Sequence, residues 1–589
     1  MSAKKIATPW LKQYGKQRKK TLKYPKGSMY DEVLKAAEQY PEAMIYNYFG
    51  NKVNYATFMA HVDRAAHGLI SLGAKKGDTI SVCSANIPEA VVAVYAINKI
   101  GAVVNIFHPL SAPNEIKECV NLVDSRILIA IDVAWPNIKQ ILKETRVERT
   151  VVLSPADSLP MLPKVGYRFI NNFLNIKELQ KNLMKILSGE KHTMSWDELL
   201  GRGQYVVGKA YEKMNADDVA VIMYSGGTTG KSKGIALTNH AFNATAVEAH
   251  GAFPEVVRPG YTILGIMPIF HGFGLGVGIH TIFCSGAGTI MLPKFDAKKF
   301  DRILMDTKPN LIVGVPTLYE AMIKNKKIRK MDLSFMKVVI SGGDNMPAAL
   351  MEEVNQLLKK NGSKAFMLQG YGLTECLSVT CVNNMESNRS GSIGLPMPDT
   401  YFKIVEPNTY IQQKPGDIGE IVLSGPTVMN GYVNNELETN KALQVHPDGR
   451  IWLHTGDLGY MDKDGFVFFT QRLKRMIISS GYNIYPNEVE TVIMQVPHVL
   501  LATVVGVDDK YRGQIAKAFV VLKGHVKPTE AVREEIMKAC QDNLAKYKWP
   551  RAIEFRKTLP KTKIGKVAYT ELAKNLPEES KKKIARLSR

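Results

Sequence analysis

Short apolar runs alternate with longer amphipathic segments along most of this chain, a pattern that predicts parallel strands joined by crossover helices. DTISVCSAN (78–86) reads as a strand and PEAVVAVYAINKIG (88–101) as the helix that follows it. NLIVGVPTLYEAMIK (310–324) and MKVVISGGDNM (336–346) repeat the theme. These strands end in Gly, Ser, Asn or Pro, where open α/β sheets carry their ligand loops. From about Tyr401 to Phe468 the texture changes to short strands and turns, as in KPGDIGEIVLSGP, HPDGRIWLHTGD and DKDGFVFF, which predicts a β-rich subdomain. The DKDG run (462–465) reads as a hairpin turn rather than a calcium loop, and Asp508-Asp509 as another turn. Beyond Gln471 a β/α pattern returns, with strands ATVVGV and KAFVVL and a charged helix around Thr529–Leu544. The expected fold class is therefore α/β: a large N-terminal domain of parallel α/β sheets plus a β-rich subdomain, and a small mobile α+β C-terminal domain. The domains expected are a basic arm (1–26), a large domain (27–471, with the β-rich part at about 401–471) and a C-terminal lid (472–589), divided near Gln471–Lys474.

At 589 residues more than one folding unit is required. Apolar residues at 45% and charged residues at 22% describe a globular chain rather than a disordered one. Six cysteines lie scattered without a Cys-x-x-Cys pair, which argues against zinc ribbons and disulfide frameworks. The basic N-terminus lacks a signal-like apolar stretch, so a reducing, cytoplasmic setting is expected. The net charge is +22, and residues 1–26 and 574–589 together supply 13 of it. The arm reads either as a solvated tail or as a peripheral contact with the anionic inner face of a membrane. No zinc-finger, RNP or basic heptad pattern accompanies the charge, so nucleic acid is not an expected partner. Nothing in the pattern speaks to oligomeric state.

Two passages bear on membranes. Between Arg258 and Lys294 there is no charged residue, yet Pro268, His271, His280 and seven glycines from Gly265 to Gly288 interrupt it. That composition predicts a buried strand–turn–helix passage rather than a span. Residues 159–191 read as an insertion in which Phe169, Phe173, Ile176, Leu179, Leu183 and Leu187 recur at helical spacing, with Lys177, Lys181 and Lys185 on another face. Such a helix either packs on the body or touches a membrane interface.

The strongest chemical signal is Tyr224-Ser225-Gly226-Gly227-Thr228-Thr229-Gly230-Lys231-Ser232-Lys233-Gly234, directly after the apolar run VAVIM. Glycines let a backbone approach phosphate oxygens, hydroxyls add donors, and lysines add charge. A phosphate-binding loop follows. It is not a Walker A sequence, since the spacing from Gly226 to the Gly-Lys pair falls one residue short. His240, His250 and His280 lack metal-ligand spacing and read as ordinary core or surface histidines.

This loop resembles that of the adenylate-forming superfamily: acyl-CoA synthetases, nonribosomal peptide adenylation domains and firefly-type luciferases. The resemblance continues in order through Pro268-Ile269-Phe270-His271, Ser341-Gly342-Gly343 and Gln369-Gly370-Tyr371-Gly372-Leu373-Thr374-Glu375. It then runs through His454-Thr455-Gly456-Asp457, Arg472-Leu473-Lys474, Gly481–Glu490 and Pro560-Lys561-Thr562-Lys563-Ile564-Gly565-Lys566. Such enzymes let a carboxylate attack the α-phosphate of ATP, releasing pyrophosphate, and then pass the acyl group to a thiol. The resemblance implies that residues 225–233 hold the β- and γ-phosphates, with Tyr224 also at the nucleotide, that Thr374 touches the α-phosphate, and that Glu375 binds Mg²⁺. It implies that the backbone of Gly342, Gly343 and Asp344 and the ring of Tyr371 flank adenine, that Gly370 and Gly372 also bind the nucleotide, and that Asp457 and Arg472 engage the ribose. His271 would sit beside the carboxylate, Lys566 would neutralise charge in the transition state, and Lys474 would be the hinge between two catalytic poses.

Departures accompany the match: Ser232 stands for a usual proline, Gln471 for a glycine, Arg475 for an acidic residue, Ile478 for a lysine and Tyr569 for an arginine. They leave the adenylation set intact and bear on the thioester pose. The segment starting LPMLPK resembles one found in long-chain fatty acyl-CoA synthetases, and the uncharged passage after His271 could house an alkyl chain. The expected substrates are therefore a long-chain fatty acid, ATP and CoA. Alternatives are another acid (medium-chain, aryl or branched), a carrier-protein thiol as acceptor, or a noncatalytic interaction protein.

Overall fold

A computed structural model describes residues 6–15, 19–159, 183–184, 186–188, 192–225, 232–344, 346–479, 482–509, 511–524, 526–561 and 567–574. The chain groups into two compact units. One comprises Met1–Tyr401, Ser424–Leu453 and Asp464–Phe466; the other comprises Phe402–Leu423, His454–Lys463 and Val467–Arg589. The β-rich passage is thus shared between them.

The first unit holds two large sheets. In the nine-stranded sheet the parallel strands Met367–Tyr371, Val338–Ser341, Leu311–Gly314, Thr262–Gly265, Gly288–Met291 and Met44–Tyr48 lie side by side in that order. In the eight-stranded sheet the parallel core runs Val219–Ser225, Val103–Phe107, Thr79–Cys83, Ile127–Ile131, Arg149–Leu153 and Thr193–Ser195. The near-continuous apolar runs of these strands are what burial on both faces requires. The helix expected after DTISVCSAN spans Pro88–Lys99, and all twelve residues are buried. Its Tyr95 stacks on His280 and Phe283, with ring centroids 6.2 and 6.0 Å apart, and so ties the two sheets' crossovers together.

The uncharged passage folds as a strand (Thr262–Gly265), a π-helix (Phe273–Thr281), a single turn of α-helix (Ile282–Cys284) and a strand (Gly288–Met291). Gly274 is required there, because a Cβ at that position would lie 2.0 Å from the Pro268 carbonyl oxygen. His280 is a core histidine: Nδ1 meets the Tyr95 hydroxyl at 3.1 Å and Nε2 meets Asn243 Oδ1 at 2.9 Å. Burial pushes its pKa down to about 3, so it stays neutral. No helix among the described residues is long and apolar enough to cross a membrane.

The N-terminal arm departs from the expectation of a solvated tail. Trp10 is buried and passes so close to Gly465, the positive-φ residue of the DKDG turn, that a Cβ there would lie 2.4 Å from the Trp10 nitrogen. Tyr14 donates to the Pro396 carbonyl at 2.7 Å, and both the Leu22 N–H and the Tyr24 hydroxyl donate to Asp399 Oδ2 at 2.9 Å. Lys12, Lys19, Lys20, Lys23 and Lys26 remain exposed. In its described part the arm is a strap whose Trp10, Tyr14, Leu22 and Tyr24 engage the body while these five lysines face solvent.

The second unit carries the strands Tyr401–Val405, Gly419–Ser424 and Ile451–Met461 in the parts assigned to it, and Val467–Arg472 pairs antiparallel with the last of these. A five-stranded sheet follows, built on the long pair Val499–Asp509 and Gly513–Leu522, with the helices Pro486–Gln495 and Glu530–Asn543. Asp508 and Asp509 finish a strand rather than form the turn, and Asp509 Oδ1 accepts from the Tyr511 and Arg512 N–H groups beyond it. The insertion lies largely outside the described residues; of its described part, Ile186 is buried and Met184 exposed.

Candidate active site

In the first unit the strand ending at Ser225 pairs antiparallel with Lys233–Thr238, Ser225 opposite Lys233, so the Gly/Ser/Thr loop connects a hairpin. Gly226, Gly227, Thr228, Thr229, Gly230 and Lys231 lie outside the described residues. Tyr224 turns its hydroxyl into the body, donating to Asn105 Oδ1 at 2.7 Å and to the Cys119 carbonyl at 3.1 Å. Lys233 ion-pairs with Glu438 and lies over the Tyr432 ring, 4.7 Å from its centroid. Bonds from Lys233 and Lys441 hold the Glu438 carboxyl down to about 2.

Glu375 follows Thr374 on a single 3-10 turn at the end of the strand Met367–Tyr371. The turn is tightly drawn, since Leu377 and Ser378 both take positive φ, 49° and 87°. Such conformations in non-glycine residues gather at functional sites. Gly372 is obligatory, because a Cβ would fall 1.6 Å from the Ser378 carbonyl oxygen. Glu375 Oε1 accepts from the Tyr432 hydroxyl at 3.0 Å, while Oε2 bonds to no described residue. Among the described residues no three metal-ligating side chains converge. A half-buried carboxylate with one oxygen unbonded among the described residues fits Mg²⁺, which takes one or two carboxylates together with substrate phosphates and water.

An apolar cavity adjoins these motifs. Gly342, Gly343, Gly370, Gly372, His271 and Ser378 contribute to its wall, and Phe273, Val277, Val313, Ile340, Val257 and Phe253 line it with hydrocarbon. Phe273, Val277, Thr281 and Ile282 come from the uncharged passage after His271. The Ser378 hydroxyl is buried without a described partner and sits against Gly272, the residue after His271. Tyr371 and Thr374 are buried nearby in sequence, and Asp344 is exposed.

In the second unit Asp457 and Arg472 are cross-strand partners, and the Arg472 guanidinium meets Asp457 Oδ1 at 2.7 Å. The two residues expected at the ribose are thus brought together, with Asp457 buried and Arg472 exposed. Their turn is fastened by Glu420, which sequence reasoning missed. Its oxygens meet His454 Nδ1 and the Gly456 N–H, each at 3.0 Å, while Thr455 donates to the Ile421 carbonyl at 2.6 Å. Two departures from the family pattern prove to be partners: Arg475 stacks over Tyr569 at 3.7 Å. The same guanidinium bonds Asn487 Oδ1 at 3.1 Å and buried Glu490 at 2.5 Å. The Lys474 side chain and Lys566 lie outside the described residues; Val567, directly after Lys566, bridges antiparallel to Lys561.

Tyr432 and Glu438 were also missed. Their one local signal, Asn435 three residues before Glu438, reads as a helix cap, and the Asn435 side chain does accept from the Glu438 N–H.

Residues 33–433 match the AMP-binding enzyme family, and residues 488–566 match the AMP-binding enzyme C-terminal domain. A long-chain-fatty-acid–CoA ligase of Bacillus subtilis is 33% identical, covering 95% of this chain and 96% of its own. The crystal structure of an ATP-bound RpMatB-BxBclM chimera superposes with a TM-score of 0.79 at 25% identity, over 93% of this chain and 98% of that one. An o-succinylbenzoate CoA synthetase from Bacillus subtilis, in complex with its acyl-adenylate intermediate, gives a TM-score of 0.72 at 26% identity over 94% and 99%.

Proposed function

Because the chain belongs to the family of AMP-binding enzymes, we propose that it converts a long-chain fatty acid to its CoA thioester through an acyl-adenylate. It is an AMP-forming acid–CoA ligase that uses ATP and CoA. The fatty acid is the proposed refinement, and the observation that carries it is the hydrocarbon-lined cavity beginning at His271. Burial contributes roughly 0.8 kcal/mol per methylene, so such a cavity favours long alkyl acids.

In this reading the acid carboxylate lies at His271 and the Ser378 hydroxyl, with its chain among Phe273, Val277 and Val313. One carboxylate oxygen attacks the α-phosphorus, a new P–O bond forms, and pyrophosphate departs. The phosphate loop and Thr374 orient the triphosphate, and Lys566 supplies positive charge as negative charge gathers on the reacting oxygens. Glu375 would hold Mg²⁺, which when bound neutralises phosphate charge. Asp457 and Arg472 grip the ribose hydroxyls, and Gly342, Gly343, Asp344 and Tyr371 flank the base. The CoA thiolate then attacks the acyl carbon and AMP leaves with the electron pair of the broken acyl–O bond. Lys474 is the proposed pivot between the two steps. The exposed lysines of the N-terminal strap support a peripheral contact with an anionic membrane, where such acids dissolve.

A second acid class is kept because the o-succinylbenzoate CoA synthetase shares this fold over nearly its whole length. Pyrophosphate release measured across alkyl acids of graded length and a panel of aryl acids, with and without CoA, decides the matter. A rate rising with chain length supports the proposal; a preference for short or aryl acids overturns it.

A further inference from the structure

Tyr432 stands at a junction that the sequence did not mark. Its hydroxyl donates to Glu375 Oε1 at 3.0 Å, and the Met429 N–H donates to the Glu375 carbonyl at 2.8 Å, so one short segment holds both the side chain and the backbone of Glu375. The face of the same phenol ring carries Lys233, seated 4.7 Å from the ring centroid and clasped by Glu438. Lys233 is the residue at which the chain leaves the phosphate loop, opposite Ser225 where it enters. Tyr432 is itself fixed: Gly431 and Tyr432 pair with Ala236 and Ile235, and the Tyr432 N–H donates to Thr439 Oγ1 at 2.9 Å.

We propose that Tyr432 is a positioning residue for the divalent cation, its hydroxyl fixing the Glu375 carboxylate and its ring seating Lys233. The proposal rests on the reading of Glu375 as the cation ligand. A carboxylate on a single helical turn can rotate about its side-chain bonds, and ordering it costs free energy at the moment the metal arrives. A neutral phenol bonded to one oxygen removes that freedom without cancelling the charge, and it leaves Oε2 for the cation. Partners of this kind typically contribute 10- to 100-fold in metal affinity.

The test uses the full chain and Mn²⁺ as the probe, its binding followed by electron paramagnetic resonance with ATP present and no acid. Tyr432→Phe keeps the ring beneath Lys233 and removes only the donor. It should weaken Mn²⁺ binding about 10- to 100-fold and raise the Mg²⁺ needed for half-maximal pyrophosphate release by a similar factor, with excess Mg²⁺ recovering the lost rate. Tyr432→Leu should add a rise in KM for ATP. Unchanged Mn²⁺ affinity in Tyr432→Phe, or a rate loss that Mg²⁺ does not recover, overturns the proposal. Glu375→Gln separates the two levels: if it leaves Mn²⁺ affinity intact, the reading of Glu375 fails and this inference with it. If it weakens binding while Tyr432→Phe does not, only the role of Tyr432 falls.

Discussion

Glu89 shows how burial can outweigh a favourable local field at a single residue. It is the second residue of the helix Pro88–Lys99, where the helix dipole favours a carboxylate. Yet it is fully enclosed; the Ser158 hydroxyl bonds one oxygen and the other has no described partner. Burial, with Asp157 and Asp197 adding like charge, pushes its pKa up to about 8, above the Ser158 bond that opposes the shift. Asp157 and Asp132, in the same neighbourhood, are raised to about 7 and about 6, burial being the first cause in each. The folded state therefore holds protons that the unfolded chain releases near pH 4.5. The stability this represents is complete below that value and is lost as pH rises toward 8, at about 1.4 kcal/mol for each pH unit between the two values as an upper bound. Glu89→Gln mimics the protonated acid. We expect it to raise the thermal midpoint at pH 8.5, to leave it nearly unchanged at pH 5, and to flatten the pH profile. Equal destabilisation at both pH values would show that the amide does not fit and that protonation is not the governing term.

Among the elements, the N-terminal strap was the least legible. Its anchors, Trp10, Tyr14, Leu22 and Tyr24, follow neither a helical nor a strand period, and the lysines between them make the run look solvated. Its partners, Pro396, Asp399 and Gly465, lie hundreds of residues away. The same reason hid Glu420 and Tyr432, whose roles exist only across distant pairings. The parallel strands were readable because burial on both faces writes itself as an apolar run, and the hairpin at DKDG because Gly465 needs a positive φ. The π-helix at Phe273–Thr281 was readable only as a passage: glycine at every second position masks helical periodicity, and what it builds is the cavity wall. With its aromatic face docked and Lys12, Lys19, Lys20, Lys23 and Lys26 outward, the strap separates attachment from charge. Reversing Lys19, Lys20, Lys23 and Lys26 to Glu should abolish pelleting with vesicles rich in anionic phospholipid while moving the thermal midpoint little. Each basic residue contributes about 1 kcal/mol near such a surface. Trp10→Ala should do the opposite, lowering the midpoint with pelleting retained. If the charge-reversed chain sediments like its parent, the strap is not the membrane contact.

For the whole molecule, two reactions with different needs must share one chain. Forming the adenylate gathers negative charge on carboxylate and phosphate oxygens; forming the thioester requires only that AMP leave an already activated carbonyl. Residues serving one step can therefore be dispensable for the other, and Lys566, proposed to serve the first, is the sharpest case. On either side of residues 562–566, the second unit is anchored: Leu559 and Leu572 are buried in one hydrophobic cluster with Val505, Ile515 and Phe519. The Ala568 N–H also donates to the Pro560 carbonyl at 2.9 Å. Those anchors are made by residues on either side, so a loss of rate at an unchanged thermal midpoint reads as chemistry. Lys566→Ala should cut pyrophosphate release from ATP and a fatty acid by about 100- to 1000-fold, the scale set by losing one stabilising donor at developing charge. Thioester formation from supplied acyl-adenylate and CoA should stay within a few-fold of the parent rate, and the thermal midpoint should not move. The two half-reactions are measured separately, by pyrophosphate release without CoA and by thioester appearance without ATP. Equal loss in both would remove Lys566 from adenylation and return it to a general structural role.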